Sequence, residues 1–170
     1  MDDMQVKPVG IVRSGTRGPS LVAEGGDLEW QGDLADARGG AGTVSELVIN
    51  SEFKGILDGI EGFSHALVLY WAHLVAPEGR GLTRVHPMGR KDLPLVGLFA
   101  TCSPARPNPI CVSAVRIIER RGLTLRVEGL DAVDGSPLVD VKPYHPYYYA
   151  VEDAKVSEWM ARIMRELGGE

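Results

Sequence analysis

The sequence predicts a mainly β protein of about six or seven short strands with one helix near its carboxyl end. Short runs rich in valine and isoleucine are separated by turn residues, most clearly at Asp134-Gly135 and at Gly122. Residues 64–75 (SHALVLYWAHLV) form an almost unbroken apolar run, which favours a buried central strand. Toward the end of the chain, apolar residues recur at helical spacing instead.

Composition narrows the class of protein further. The 170 residues are 44% hydrophobic and 24% charged, which is ordinary for a soluble globular protein of one domain. A net charge of −5 argues against broad, nonspecific nucleic-acid binding. Two cysteines, Cys102 and Cys111, provide neither a disulfide framework nor a tetrahedral metal set. Residues 1–10 lack the pattern of a signal peptide and no run is long enough to span a membrane, so we expect a cytoplasmic protein without membrane or metal partners.

The strands are predicted from alternation, β-branched residues and turn signals. Residues 14–20 are a loop by composition. Strands are expected at residues 4–13, 46–49, 64–75 and 138–141, with a hairpin formed by residues 112–118 and 123–128.

Two further stretches have their own patterns. Residues 53–60 (FKGILDGI) carry apolar side chains at helical spacing over about two turns, which predicts a short helix. Residues 25–42 are rich in glycine and predict a flexible surface connection. Within them, ARGGAG at residues 37–42 lacks the GxGxxG spacing of a nucleotide-binding loop.

The last predicted element is an amphipathic, structural helix. Glu152 and Asp153 lie at its predicted start and Arg162 and Arg165 toward its end, as the helix dipole favours. Gly168-Gly169 follow as a stop signal. Its apolar stripe consists of Val156, Trp159, Met160, Ile163, Met164 and Leu167.

A proline-rich loop at residues 97–113 (GLFATCSPARPNPICVS) is the feature around which the chain is organised. Pro104, Pro107 and Pro109 stiffen the backbone between two apolar runs. Arg106 and Asn108 each precede a proline, which favours an extended backbone and a pre-formed ligand site. The alternative is a rigid turn between two buried strands, with Asn108 bonded to its own backbone.

Two polar segments also have two interpretations each. Residues 76–94 contain the one local cationic cluster, which is either a solvated loop or a contact surface for RNA phosphates. The aromatic run KPYHPYYY is either a packed turn at a barrel or dimer edge or a stacking surface for a base. The cluster consists of Arg80, Arg84, His86, Arg90 and Lys91, and the aromatic run contains Tyr144, Tyr147, Tyr148 and Tyr149.

Four motifs together resemble the TrmO (YaeB, TsaA-like) family, in its order and over most of the chain. The resemblance implies a small antiparallel or mixed β-barrel that binds S-adenosylmethionine (SAM) outside the Rossmann architecture. It also implies a homodimer and methylation of threonylcarbamoyladenosine beside the tRNA anticodon. Residues 1–150 would form the barrel domain, with residues 151–170 as a helix packed on it. The motifs are FATCSPARPNPI from Phe99, VGIVRS from Val9, GIEGFSHALVLYWAH from Gly59 and LDAVDGSPLVDVKPY from Leu130.

The resemblance implies site residues as well. Candidate cofactor contacts are His73, Leu74, Cys102, Val112, Glu128, Gly129, Leu130 and Asp131. Candidate substrate contacts are Arg90, Arg106, Asn108, Lys142 and Tyr144.

The chain departs from the family pattern at several positions. Cys102 replaces an arginine and Cys111 a glycine, and the two thiols either face each other across the loop or are small buried side chains. The family carries an Arg-Pro-Pro-Arg-type stretch. In this chain His86 stands in place of the first arginine, and Arg90 corresponds to the second.

The expected activity is therefore SAM-dependent N-methylation. No general base is assigned, because aligning nucleophile, methyl carbon and sulfur is the main requirement of the reaction. The alternatives are methylation of a small-molecule acceptor and a SAM-binding protein without catalysis.

Overall fold

The structure is a computed structural model that describes residues 4–32, 40 and 42–168. The chain divides into two compact units. The barrel unit comprises Met1–Gly18, Gly39–Leu74 and Ile110–Tyr144. The hairpin unit comprises Pro19–Arg38, Val75–Pro109 and His145–Glu170. The C-terminal helix thus belongs to the second unit.

A closed barrel of six strands forms the first unit, in the order β1-β10-β5-β8-β9-β4. Every neighbouring pair is antiparallel, which confirms the predicted mainly β barrel and shows that this sheet is purely antiparallel. The strands are β1 (Gly10–Arg13), β4 (Val44–Ile49), β5 (His65–Trp71), β8 (Ile110–Arg121), β9 (Thr124–Glu128) and β10 (Pro137–Pro143).

The barrel interior is filled by alternate side chains. In β5, which lies between β10 and β8 as a central strand, Ala66, Val68 and Tyr70 point inward and are buried. Inward side chains of the other strands complete one contiguous core. Those most completely buried include Val12, Leu47, Val115, Leu125, Val127 and Leu138.

The predicted hairpin of β8 and β9 is confirmed, although β8 is longer than expected. Arg121 pairs with Thr124, and Gly122 between them has a φ of 60°, which glycine adopts without strain. The register shifts between Ile117 and Glu119, as at a β-bulge.

The hairpin unit contains two small sheets and both helices. The strands β2 (Leu21–Glu24) and β3 (Asp27–Trp30) pair with each other, as do β6 (Arg84–Val85) and β7 (Val96–Gly97). The helices are α1 (Pro146–Tyr149) and α2 (Glu158–Glu166). A second apolar core unites Leu28, Val85, Leu98 and Ala105.

Two predictions near the amino terminus need correction. The first strand begins at Gly10, so residues 4–9 lie outside it, although Val9 still donates its amide to Leu138 at 2.8 Å. The predicted surface connection at residues 25–42 is wrong at its start, because Gly25 and Gly26 form the turn between β2 and β3. Residues 33–39 and 41 lie outside the described residues.

The predicted two-turn helix at residues 53–60 is also wrong. The structure has short 3₁₀ segments at Ser51–Phe53 and Ile60–Gly62 instead. Gly55 and Gly59 have φ values of 92° and 87°, which interrupt any right-handed helix. The apolar pattern is real nonetheless, because Leu57 is buried in the barrel core.

The C-terminal helix is confirmed but starts later than predicted. Ser157 caps it by accepting the Met160 amide at 3.4 Å, so Glu152 and Asp153 precede the helix. Ile163 is buried, whereas Val156 lies before α2 and is exposed. No helix in the described part of the chain is both long and apolar enough to cross a membrane.

Gly10 allows a test of whether the close packing of β1 against β4 requires a glycine at this position. A Cβ at this position would overlap the carbonyl oxygen of Val48 in the neighbouring strand. We expect Gly10→Ala to lower the free energy of unfolding by about 1–3 kcal/mol, as overpacking does. Urea denaturation measures the change, and Gly18→Ala is the control, since nothing lies within 4 Å of its Cβ position. Equal stability of both variants would contradict this packing.

Candidate functional site

The antiparallel order of the barrel brings distant parts of the chain to one edge. Because β8 is antiparallel to β5, the end of β5 meets the start of β8, with Trp71 paired to Ile110. The segment that follows β9 reaches the same edge, where the Asp131 carbonyl accepts a hydrogen bond from the Tyr70 hydroxyl. We call this edge the upper rim. Of the predicted cofactor contacts, four lie at or next to this rim, namely His73, Leu74, Val112 and Asp131, and Leu130 is buried beneath it. Glu128 lies away from it, because it pairs with Arg116, which is opposite His65 at the start of β5. Gly129 lies against Ala114, which pairs with Leu67, and Cys102 belongs to the hairpin unit.

The segment that follows β9 is fixed on both sides. Glu128 accepts a hydrogen bond from the Arg116 Nε at 2.7 Å, and Gly129 donates its amide to the Thr43 carbonyl at 3.0 Å. Gly129 has a φ of 91°, which permits the turn away from the strand. Leu130 is buried in the barrel core, so the next residue is held at the rim.

Asp131 is the carboxylate of this rim. The Tyr70 hydroxyl donates to the Asp131 backbone carbonyl, and burial raises the pKa of Tyr70 so that it stays a donor. The Asp131 side chain itself reaches solvent. Surrounding protein atoms still remove part of its hydration, and this raises the pKa of its carboxyl. Its oxygens can accept hydrogen bonds from a ligand.

Gly40 is a rim residue that sequence reasoning missed. Its Cβ position would overlap the carbonyl of Leu130, and its φ is 70°. The backbone at residue 40 therefore approaches the Leu130–Asp131 peptide more closely than any other residue type allows. The signal was the glycine-rich run at residues 37–42, which was interpreted as a surface connection.

His73 is positioned by a buried hydroxyl. Its Nδ1 lies 3.2 Å from the Oγ of Ser136, a residue that is 1% exposed. Leu74, the next residue, is exposed. Both residues follow β5, which ends at Trp71, so the predicted strand at residues 64–75 is too long at its carboxyl end.

Lys142 and Tyr144 lie at the opposite end of the barrel. Tyr144 donates its amide to the His65 carbonyl at 2.9 Å, where β5 begins, and Lys142 pairs with Asp140 at 2.6 Å. His65 is exposed. Within the barrel unit, these two predicted substrate contacts are therefore not brought together with the upper rim.

The proline-rich loop does not join neighbouring strands. It follows β7, which pairs only with β6, and leads into β8 of the barrel. The apolar run before it is also partly exposed, with Phe99 at 79%. The prediction of a bend between two buried, adjacent strands is therefore wrong.

Hydrogen bonds hold the proline-rich loop rigid. The Arg106 guanidinium donates through one terminal nitrogen to the Thr101 and Ser103 carbonyls, at 2.9 and 3.2 Å. Asn108 is exposed, and no hydrogen bond of its side chain is found among the described residues. Cys102 and Cys111 are free thiols; Cys102 is exposed, and Cys111 is half-buried opposite Tyr70 in the β5–β8 register.

Much of the predicted cationic cluster is already paired. His86 and Lys91 both contact Asp27, and Arg90 contacts Asp92 and Glu166. Arg162 of α2 joins the second group, with its terminal nitrogen 2.5 Å from Asp92. Hydrogen bonds from Arg90 and Arg162 lower the pKa of Asp92 to about 2. These pairs reduce the charge that the segment offers to a phosphate.

The tyrosines after the barrel form an exposed group. Tyr147 and Tyr148 are 85% and 75% exposed and contact each other edge to face, with centroids 5.7 Å apart. Both lie within the short α1, and the His145 side chain at its N-cap accepts the Tyr147 amide. Within one chain they are not packed at a barrel edge, and both the dimer-edge and the stacking interpretations stay predictions. Among the described residues, no three side chains of His, Cys, Asp or Glu are grouped to hold a metal ion.

Asp27 is a half-buried carboxylate of the hairpin unit and allows a pH test. Burial would raise the pKa of Asp27, but hydrogen bonds from Lys91 and His86 outweigh it and hold the pKa well below its usual range. A carboxyl whose pKa is lowered by folding stabilises the folded state at pH values above its ordinary pKa near 4. This stabilisation is lost as the pH falls below that value. We expect Asp27→Asn to cost about 1–3 kcal/mol at pH 7 and progressively less below pH 4.

Glu29→Gln provides the control for Asp27→Asn in urea denaturation. It lies in the same strand, is exposed, and its carboxyl pKa is raised by the neighbouring Glu24. Its substitution should leave stability unchanged or slightly higher. A cost of Asp27→Asn that is identical at pH 7 and pH 3 would contradict the ionised pairing of Asp27.

Comparison with known proteins agrees with the barrel. Residues 31–150 match the family model described as the tRNA-methyltransferase O N-terminal domain. A probable S-adenosyl-L-methionine-binding protein of Methanothermobacter thermautotrophicus is 42% identical over 147 residues, which cover 85% of this chain and 94% of that protein. A tRNA (adenine(37)-N6)-methyltransferase of Escherichia coli is 39% identical over 103 residues, covering 58% of this chain and 43% of that enzyme.

A solved structure supports the same relationship. The crystal structure of TrmO from Pseudomonas aeruginosa matches with a TM-score of 0.66 and 26% identity, covering 92% of this chain and 63% of the solved one. The chain therefore spans less than two thirds of that TrmO. The family predicted from the motifs is confirmed. By the match of residues 31–150 and by its similarity to the archaeal relative, this chain belongs to the tRNA-methyltransferase O family.

Proposed function

We propose that this chain binds SAM at the upper rim and transfers its methyl group to the N6 nitrogen of threonylcarbamoyladenosine beside a tRNA anticodon. Membership of the family supports SAM-dependent methyl transfer to tRNA, and relatives are named for SAM binding and for tRNA adenine methylation. The observation that carries the proposal is the convergence of His73 and Asp131 at one rim, where Tyr70 holds the Asp131 carbonyl and Ser136 contacts the His73 ring.

The rim residues fit such a cofactor chemically. Asp131 supplies a carboxylate that can accept hydrogen bonds from ribose hydroxyls. Leu74 and Val112 supply exposed apolar surface for the uncharged parts of the molecule, with Val112 63% exposed. Gly40 carries no side chain, so its backbone packs directly against the Leu130–Asp131 peptide and helps to hold Asp131 in place.

The protein's main task in this chemistry is orientation. When bound, SAM supplies a methyl group on a positively charged sulfur. The rigid placement of Asp131 through Tyr70, and of His73 through Ser136, holds the contacts before the ligand arrives. No residue is assigned as a general base.

The acceptor contacts are proposed in the hairpin unit. Arg106 and Asn108 present a guanidinium and an amide on the hydrogen-bonded, proline-rich loop. Arg90 stays a proposed substrate contact, although its ion pairs with Asp92 and Glu166 must be shared with a phosphate. Lys142 and Tyr144, at the other end of the barrel, are proposed to contact a distant part of the acceptor.

A small-molecule acceptor is the second candidate. It is favoured by the ion pairs that occupy His86, Arg90 and Lys91. It is also favoured by Cys102, since a thiol supplies no fixed charge for a phosphate.

Transfer of tritium from labelled SAM to tRNA tests the proposal. We expect label in fully modified tRNA and none in tRNA that lacks the threonylcarbamoyl group. Label in a small metabolite, at a rate that salt does not lower, would favour the second candidate because RNA binding weakens with salt. If the protein binds SAM but transfers no label to any acceptor, it is a non-catalytic SAM-binding protein and the proposed activity is contradicted.

The proposal includes a homodimer, and sedimentation equilibrium should give twice the 18.4 kDa chain mass.

Asp131→Asn tests the cofactor site directly. Loss of the negative charge should raise the SAM Kd about 10- to 100-fold, the value of a charged hydrogen bond. Isothermal titration calorimetry measures the Kd. Asp140→Asn is the matched control, because the Asp140 carboxylate pairs with Lys142 away from the rim. Equal affinities of the two variants would contradict a role of Asp131 in binding SAM.

A further inference from the structure

We infer that Phe99 is a stacking platform for a base of the RNA acceptor, with Arg106 beside it as the contact for that strand's phosphate. The inference rests on the proposed RNA substrate and adds a residue that neither the motif comparison nor the site analysis assigned. It starts from an unusual exposure. Phe99 is 79% exposed, whereas phenylalanine is among the residues most often buried.

The exposure of Phe99 is built into a rigid turn. Leu98, the preceding residue, is 3% exposed and belongs to the core of the hairpin unit. Thr101 closes the turn by donating its amide and its hydroxyl to the Leu98 carbonyl, at 3.0 and 2.8 Å. The ring is therefore held outward by an anchored backbone, so stacking on it costs little ordering of the chain.

One side of the ring is already covered by a cation. The Arg106 guanidinium carbon lies 5.3 Å from the centroid of the Phe99 ring, within the range of a cation–π contact. Since the ring is still 79% exposed, most of its surface is left for a second planar group. Any nucleobase can stack on such a ring, because every base has a flat aromatic face, so the contact does not depend on the RNA sequence.

Arg106 also has N–H donors that its described hydrogen bonds do not use. A guanidinium carries five N–H donors, and the described contacts to Thr101 and Ser103 use the two of one terminal nitrogen. No hydrogen bond to Nε or to the other terminal nitrogen is found among the described residues. That edge can bind a phosphate bidentately while the bonded nitrogen keeps the group in place. An aromatic face next to a fixed cation favours a nucleotide over an uncharged protein surface.

Asn108 completes the same loop. It is exposed two residues after Arg106, and its side-chain amide offers both donors and an acceptor. Asparagine pairs with the edge of adenine through two hydrogen bonds. The loop therefore presents the three contacts that single-stranded RNA recognition uses: stacking, phosphate binding and a base-edge amide.

Phe99→Leu tests the stacking role without removing the charge. Fluorescence anisotropy with labelled, fully modified tRNA should give a Kd about 5- to 100-fold above that of the wild type. Phe99→Trp, which keeps a stacking face, should stay within about twofold of the wild type. Phe63→Leu is the matched control, since Phe63 is a partly exposed phenylalanine of the barrel unit. The SAM Kd of every variant should be unchanged, and circular dichroism should show the wild-type Tm.

The outcomes separate this inference from the proposed function. Wild-type RNA affinity in Phe99→Leu, or a wild type that binds no RNA, would overturn the stacking role. A weakened Phe99→Leu together with a wild type that binds RNA but transfers no methyl group would support the platform and contradict the proposed activity. A loss in Phe99→Leu that Phe99→Trp does not restore would also overturn it, because the cause would then be packing and not stacking.

Discussion

Closure of six antiparallel strands into a barrel is the constraint on which the candidate site depends. Each strand reverses the direction of its neighbour, so the end of β5 and the start of β8 share one rim, which the segment after β9 reaches at Asp131. Residues that are about 60 positions apart in the chain, such as His73 and Asp131, are thereby collected without any direct contact between their side chains. The buried core fixes the register, because a slip by one residue would turn the inward side chains to solvent.

Polar contacts then determine which rim groups are available to a ligand. Tyr70 and Ser136 each use a hydroxyl to hold a rim residue, while the Asp131 carboxyl stays accessible to solvent. In the hairpin unit, by contrast, several side chains of the cationic cluster are not available to a ligand. They form ion pairs with Asp27, Asp92 and Glu166. The charge that remains for an acceptor is therefore concentrated on fewer side chains than the sequence suggests.

The sequence was sufficient for features that depend on local patterns. The apolar run at β5, the turn glycine Gly122 and the stripe of α2 each have a periodicity or a turn residue that defines them. The motif resemblance selected His73 and Asp131, which the barrel brings to one rim, and their contact with SAM stays a prediction. It could not reveal pairing between distant residues: Lys142 lies at the far end of the barrel because of its register with Leu67, which no local pattern encodes. The exposure of Phe99 was missed for the same reason, since an apolar run alone does not distinguish an outward ring from a buried one.

The central claim is that the upper rim, and not the opposite end of the barrel, receives SAM. Titration of ¹⁵N-labelled protein with SAM, followed by two-dimensional NMR, tests it most directly. The account predicts that the largest amide shifts occur at His73, Leu74 and residues 129–131, with Lys142 and Tyr144 nearly unchanged. Shifts concentrated at Lys142 and Tyr144, or the absence of any saturable shift at the upper rim, would contradict it.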